Sequence, residues 1–206
     1  MAHPAGAYQG RPALAGNDLT GLRGVGKTVL LSEVRSIAES EGYYVVFIEA
    51  HEGKTLAEML ILPLRETLFS LNRIEHAKHL AARGLRVLRS FLSTISVTIE
   101  GVSYSLRVDP EIGTADSGDL ESGLPRPLEV IAEAAKAAEK PILLLVDEIQ
   151  YLVSAEFSAL IMGLHRTSQR QLPMVMIAAG LPQTLALAGN SKSYAERLFR
   201  YPEVRP

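Results

Sequence analysis

The chain has 206 residues, which is enough for one domain with a sizeable core. Its charge is nearly balanced, with 21 Lys and Arg residues against 23 Asp and Glu residues, and it contains no Cys. This composition excludes disulfides, thiolate metal sites and a Cys nucleophile, and gives no electrostatic argument for nucleic acid or an anionic membrane. The apolar runs are too short to span a bilayer and no signal-peptide pattern begins the chain, so we expect a cytoplasmic α/β protein.

Apolar periodicity along the chain predicts alternating helices and strands. Residues 1–15 show no period, and we expect a flexible segment there. Helices are predicted at Lys27–Glu41, Leu56–Arg73, Glu75–Thr94, Pro127–Lys140, around Phe157–Leu164, and at Ser193–Arg200. Continuous apolar runs predict buried strands at Tyr43–Glu49, Pro141–Val146 and Leu172–Ala179. Strands that alternate with helices indicate a parallel sheet with helices on both faces.

The pattern changes over residues 95–124. Apolar and polar residues alternate on both sides of Glu100-Gly101, which predicts a β-hairpin over residues 95–108. Residues 109–124 are acidic and rich in Gly and Ser, which is typical of a mobile loop. We therefore expect an insertion before the strand at Pro141–Val146.

The most specific motif is Gly21-Leu22-Arg23-Gly24-Val25-Gly26-Lys27-Thr28, which matches the phosphate-loop pattern G-x-x-x-x-G-K-[ST] in full. Its glycines let backbone N–H groups point at phosphate oxygens, and the following helix adds the positive end of its dipole. Lys27 is predicted to contact the β- and γ-phosphates of a nucleotide, and Thr28 to ligate Mg²⁺. The alternative interpretation is a glycine-rich turn with a chance Lys.

An acidic pair forms the second half of the predicted site. The apolar strand ends directly before Asp147 and Glu148. Asp147 would hold Mg²⁺ through its hydration shell, and Glu148 would polarise a water for attack on the γ-phosphate. Acidic residues often end strands, but together with the phosphate loop this pair indicates hydrolysis more than phosphoryl transfer to another acceptor. No guanine-reading N-K-x-D pattern is visible, which favours ATP.

These segments resemble those of AAA+ and STAND-like P-loop ATPases, and most closely the origin-recognition-like ATP-binding proteins of bacteria and archaea. The resemblance is carried by the phosphate loop, LLLVDEIQYL (143–152), AAGLPQTLALAG (178–189) and SYAERLF (193–199). It implies a three-layer α/β/α P-loop fold over residues 16–206, ATP and Mg²⁺ as ligands, a nucleotide-driven conformational switch and self-assembly. Arg197 or Arg200 resembles an arginine finger that acts on a neighbouring subunit's nucleotide, and the alternative is a solvated Arg at a helix end.

The chain departs from the family pattern in three places. Gly16, Asn17 and Asp18 are poor residues for a buried strand, which predicts that the strand before the phosphate loop is missing and suggests an internal deletion. The strand after the acidic pair ends in 178–180 (Ala-Ala-Gly) where the family carries a polar sensor, for which Gln183 is the substitute. We see no lid or winged helix at the end of the chain, and therefore expect slow turnover without a closing lid.

Three functions stay open from the sequence. The first is an ATPase that couples Mg-ATP binding and hydrolysis to a conformational switch, acting on an unidentified protein client. The second is a catalytically weak nucleotide-binding or interaction module. The third is a DNA-associated, initiator-like ATPase, although the one basic stripe (Arg83, Arg86 and Arg89) is expected to be the solvated face of a helix. A small-molecule kinase is a further alternative.

Overall fold

The computed structural model describes residues 16–22, 24–94, 120–182, 199–200, 202 and 204. Strands of these residues are β1 (Gly16–Thr20), β2 (Tyr44–Glu49), β3 (Ile142–Asp147), β4 (Met174–Gly180) and β5 (Phe199–Arg200). They form one sheet in the spatial order β2-β3-β4-β1-β5, and every recorded pairing is parallel. The predicted parallel sheet is therefore confirmed.

Five of the six helices in the described ranges agree with the predicted periodicity within a few residues. They are α1 (Lys27–Ser40), α2 (Leu56–Leu71), α3 (Lys78–Thr94), α4 (Leu120–Gly123), α5 (Pro125–Ala137) and α6 (Ser154–Gln169), with a 3₁₀ turn at Ile149–Tyr151. None of the helices in the described ranges is both long and apolar enough to cross a membrane.

The sheet separates two apolar layers. The larger layer packs residues such as Val46, Leu144 and Met176, each 1% exposed, against α2, α3, α5 and α6. The smaller layer packs Leu31 and Ala38 of α1 against β3 and β4. Because successive side chains of a strand point to opposite faces, β3 is buried along its whole length, as its continuous apolar run predicts. This arrangement confirms the predicted three-layer α/β/α fold.

Strand β1 corrects the prediction that the strand before the phosphate loop is missing. Residues Gly16–Thr20 pair with β4 along their whole length. The ladder is made by backbone groups, which Gly, Asn and Asp also carry. Asp18 pairs with Ala178, and Leu19 pairs with Ala179. Both partners are small, so their side chains do not prevent Asp18 from lying in the strand. The internal deletion stays a hypothesis about the gene.

Backbone hydrogen bonds extend this end of the sheet beyond β5. The Thr20 N–H donates to the Pro202 carbonyl at 3.1 Å, and the Val204 N–H donates to the Thr20 carbonyl at 2.7 Å. A Cβ on Gly21 would lie 2.7 Å from the Val204 carbonyl oxygen. The first glycine of the phosphate loop is therefore required by this close backbone approach.

Two other predictions are corrected by helix and strand boundaries. The end of the predicted 109–124 loop is helical in α4, where Gly123 is buried because its backbone packs against the Phe91 ring. The hairpin at 95–108 and the rest of the insertion lie outside the described residues. Most of the predicted helix at 193–200 also lies outside them, but Phe199 and Arg200 form a strand, because they pair with Gly16 and Asn17 of β1.

Glu156 joins the starts of two helices. Its carboxylate is buried and accepts hydrogen bonds from the Leu56 N–H at 2.7 Å and from the Val153 N–H at 3.1 Å. One bond reaches the first residue of α2 and the other lies at the start of α6. A single side chain therefore fixes the loop that leaves β2 against the loop that leaves β3.

We predict that Glu156→Gln destabilises the protein by about 1–3 kcal/mol, because the amide nitrogen must then face a buried backbone N–H. Urea unfolding measures this change. Glu33→Gln, on the exposed side of α1, is the matched control and should leave the free energy of unfolding unchanged. Equal unfolding free energies for the two variants would contradict the role of Glu156.

A capping box begins α2. The Thr55 N–H donates to Glu58 at 2.6 Å, and the Glu58 N–H donates to the Thr55 hydroxyl at 3.3 Å. The bond from the Thr55 backbone, followed by the bond from its hydroxyl, lowers the pKa of Glu58. The stabilisation is therefore complete above the pKa of this group in the unfolded chain, and is lost as the pH falls through the lower folded value.

We predict that Glu58→Ala reduces the free energy of unfolding at neutral pH, and that the difference from the parent shrinks as the pH is lowered. Unfolding curves at several pH values give this difference. Glu66→Ala, an exposed position on the same helix, controls for helix propensity and acid denaturation. A Glu58 difference that stays constant with pH would show that the carboxylate does not cap the helix.

Candidate functional site

The loop between β1 and α1 has the backbone of a phosphate cradle. Gly24 and Gly26 have φ values of 82° and 88°, in the left-handed region that favours glycine. A Cβ at either position would meet no described atom within 4 Å. Among the described residues no side chain caps α1 at Gly26, so N–H groups of its first turn are available to an anion. The concavity in front of α1 is therefore open and favours negative charge.

Lys27 is the first residue of α1, and its side chain folds back over the loop. Its Nζ donates to the carbonyls of Gly21 and Leu22, at 2.8 Å each. The side chain is buried although it carries a charge. An ammonium group has three N–H donors, which two carbonyls do not exhaust. Lys27 therefore lies at the loop with capacity to bind a further acceptor.

Thr28 and Asp147, the two predicted metal ligands, contact each other. The Thr28 hydroxyl donates to Asp147 Oδ2 at 2.7 Å, and Asp147 Oδ1 accepts from the Glu148 N–H at 2.9 Å. The sheet order places β4 between β3 and β1, so the carboxyl ends of these strands meet at one edge. Hydroxyl and carboxylate oxygens are ligands that Mg²⁺ prefers, and the donor set therefore fits this ion.

Glu148 follows β3 in a left-handed conformation, with a φ of 53°. This conformation is uncommon for a residue with a Cβ, and its strain is typical of functional sites. The residue is half-buried and lines a cleft at the carboxyl end of β2 together with Glu49, His51, Glu52 and Tyr151. Glu148 is thus partly exposed and directly follows Asp147, which accepts the hydrogen bond from Thr28.

Gln150 is a residue of this site that the sequence analysis did not assign. Its Nε2 donates to Glu148 Oε2, and its Oε1 accepts from the Leu181 N–H at 3.1 Å. Strand β4 ends in 178–180 (Ala-Ala-Gly), as predicted, while Gln183 lies outside the described residues. The signal in the sequence was the position of Gln150 two residues after Glu148, within the quoted DEIQ segment.

The remaining predicted site residues are placed as follows. Leu22 and Val25 lie in the loop, and Leu22 is exposed, whereas Arg23 and Arg197 lie outside the described residues. Arg200 is exposed but lies in β5, opposite Asn17, rather than near the end of a helix. Its role as an arginine finger stays a prediction.

The basic stripe on α3 is not a fully solvated face. Arg83, Arg86 and Arg89 are each half-buried. Arg83 lies 3.7 Å from Glu133 of α5, with which it forms an ion pair. The stripe is partly covered because α3 packs against α5, so it offers little open basic surface.

Comparisons with known proteins agree with this fold. The structure is similar to the crystal structure of Cdc6p from Pyrobaculum aerophilum, with a TM-score of 0.53 and 14% sequence identity. The match covers 93% of this chain and 39% of the Cdc6p chain, so this chain spans about two fifths of that protein. At this identity the likeness shows the fold alone. A search of curated proteins found no match.

The family comparison covers most of the sequence. The model of the AAA ATPase domain matches residues 10–177, a range that includes β1 to β3, the phosphate loop and the acidic pair. The resemblance drawn from the sequence motifs is therefore confirmed: the chain belongs to the AAA ATPase domain family.

Proposed function

We propose that this AAA+ ATPase binds Mg-ATP at the phosphate loop, hydrolyses it, and couples both steps to a conformational switch. The observation that carries the proposal is the hydrogen bond from Thr28 to Asp147, at 2.7 Å. It joins the phosphate loop to the acidic pair, the two halves that nucleotide hydrolysis requires in one place.

Phosphate binding would use the backbone and one cation. The N–H groups at the start of α1 would donate to phosphate oxygens, and Lys27 would exchange a loop carbonyl for a β- or γ-phosphate oxygen. Thr28 and Asp147 would hold Mg²⁺, which neutralises charge on the phosphates when bound. The buried Asp147 supports this role, because a carboxylate this enclosed favours a nearby cation.

Hydrolysis would depend on Glu148. The residue is half-buried, directly follows Asp147 and lines a cleft that a water can enter. The water oxygen forms the new bond to the γ-phosphorus, the bond from this phosphorus to the bridging oxygen breaks, and Glu148 accepts the water proton. The products are ADP and inorganic phosphate.

Self-assembly is part of the same proposal. Arg200 is exposed in β5, at one edge of the sheet, where a neighbouring copy could receive it. A guanidinium from one copy would then stabilise γ-phosphate charge in the next.

The competing functions are distinguished by turnover, since a weak binding module would not hydrolyse ATP faster than a variant without Glu148.

We predict that Gly26→Ala weakens Mg-ATP binding by about tenfold or more, because the loop can no longer aim its N–H groups and hydrogen bonds to charged groups contribute about 1.5–3 kcal/mol each. Gly42→Ala is the matched control, since Gly42 follows the other end of α1, has a φ of 84° and also has open space at its Cβ. Calorimetry gives the ATP affinity and thermal unfolding gives the stability.

Both glycine variants should lose similar stability, on the order of 1–2 kcal/mol for a Cβ in the left-handed region. Only Gly26→Ala should lose ATP affinity. An equal affinity in the two variants would contradict the proposed cradle.

We predict that Glu148→Gln lowers kcat for ATP hydrolysis by about 10²–10⁴-fold, the range for removal of a general base, and leaves ATP affinity unchanged. Phosphate release measures kcat. Glu52→Gln is the control, because Glu52 lines the same cleft and the proposal gives it no role. Hydrolysis by Glu148→Gln at the parental rate would remove Glu148 from the mechanism.

A further inference from the structure

We propose that Gln150 is a positioning residue, which orients the Glu148 carboxylate and links it to the end of β4. This inference rests on the proposed hydrolysis and adds a residue to it. Gln150 lies in the 3₁₀ turn after the acidic pair and is half-buried. One polar atom of its side chain contacts Glu148, and the other contacts the backbone of Leu181.

The amide nitrogen of Gln150 restrains the proposed base. It donates to one carboxylate oxygen of Glu148 and leaves the other oxygen for a water. The backbone of Glu148 is already fixed in a left-handed conformation, while its long side chain is only half-buried. A neutral donor on one oxygen therefore selects an orientation without cancelling the negative charge that a base needs.

The amide oxygen of Gln150 connects the base to β4. It accepts from the Leu181 N–H at 3.1 Å, directly after the last residue of β4. This strand lies between β3 and β1, which carry the acidic pair and the phosphate loop at their ends. Residues 178–180 supply no polar side chain, so the backbone of Leu181 and the side chain of Gln150 make the polar connection there.

These contacts would connect the proposed conformational switch to the Glu148 carboxylate. A movement of the end of β4 during nucleotide binding would displace the Leu181 N–H. Gln150 and the Glu148 carboxylate would move with it, because hydrogen bonds connect them. The orientation of the base would then depend on the state of the strand beside the phosphate loop. Gln150 would influence the rate of the chemical step more than the affinity for ATP.

The test compares Gln150→Leu and Gln150→Glu with the parent chain. Gln169→Leu, an exposed position at the end of α6, is the matched control. For Gln150→Leu we expect kcat for ATP hydrolysis to fall by about tenfold or more, since a misplaced catalytic group costs this much. The Kd for Mg-ATP should stay unchanged, whereas a general loss of folding would alter both.

Gln150→Glu has nearly the same shape and reports on the contact itself. Its carboxylate has no N–H to donate, so the hydrogen bond to Glu148 is lost while the shape of the side chain is kept. We expect kcat to fall by about tenfold or more with an unchanged Kd for Mg-ATP, as for Gln150→Leu.

The outcomes separate the inference from the proposed function. Parental turnover that does not exceed that of Glu148→Gln means that the proposed function fails, and the inference fails with it. Parental turnover that exceeds it, with Gln150→Leu and Gln150→Glu both unchanged in kcat, overturns the inference alone. A higher kcat in Gln150→Leu also overturns it, because Gln150 would then hold Glu148 in an unproductive orientation. If Gln150→Leu does not fold, the kcat and the Kd of Gln150→Glu decide.

Discussion

One hydrogen bond, from the Thr28 hydroxyl to the Asp147 carboxylate, joins segments that lie 119 positions apart in the chain. It can form only because the parallel sheet brings the carboxyl ends of β1 and β3 to the same edge, on either side of β4. Open parallel sheets bind ligands at this edge, because loops and helix N-termini converge there. The position of every proposed site residue follows from this strand order.

Helix α1 supplies several groups of the proposed site, although few of its residues are buried. Only Lys27, Leu31 and Ala38 are buried in it, and Leu31 and Ala38 pack on β3 and β4. The same helix supplies the first-turn N–H groups, the Lys27 ammonium and the Thr28 hydroxyl. Packing and the proposed ligand binding would therefore be coupled through one short helix, and a ligand that binds at its N-terminus would also stabilise its contact with the sheet.

Motifs with a strict chemical requirement could be predicted from the sequence. The glycines, Lys27 and Thr28 have fixed spacing, and the apolar run before Asp147 indicates a strand buried on both faces. The first strand could not, because Gly16, Asn17 and Asp18 have low β propensity while their backbone pairs with β4. The β propensity of a residue describes its side chain. In β1 the backbone ladder with β4 outweighs this propensity, because the paired residues of β4 are small.

The contacts of Gln150 could not be predicted either, for a different reason. Its partners are Glu148, two residues away, and Leu181, 31 residues away. The local pattern shows a polar residue after an acidic pair and nothing about the strand that it meets. Likewise, the three Arg residues on α3 have a helical period, but the sequence does not tell that α5 covers part of their face. Such contacts depend on how elements pack, which periodicity leaves open.

We propose that the phosphate loop and the acidic pair form one Mg-ATP site. The most direct measurement is calorimetric titration with ATP, with Mg²⁺ and with a chelator, for the parent chain beside Lys27→Ala. We expect binding that is stronger with Mg²⁺ and that is lost in Lys27→Ala. Absence of binding to the parent, or equal binding by both proteins, would contradict it and would mean that the motifs do not form a working site in this chain.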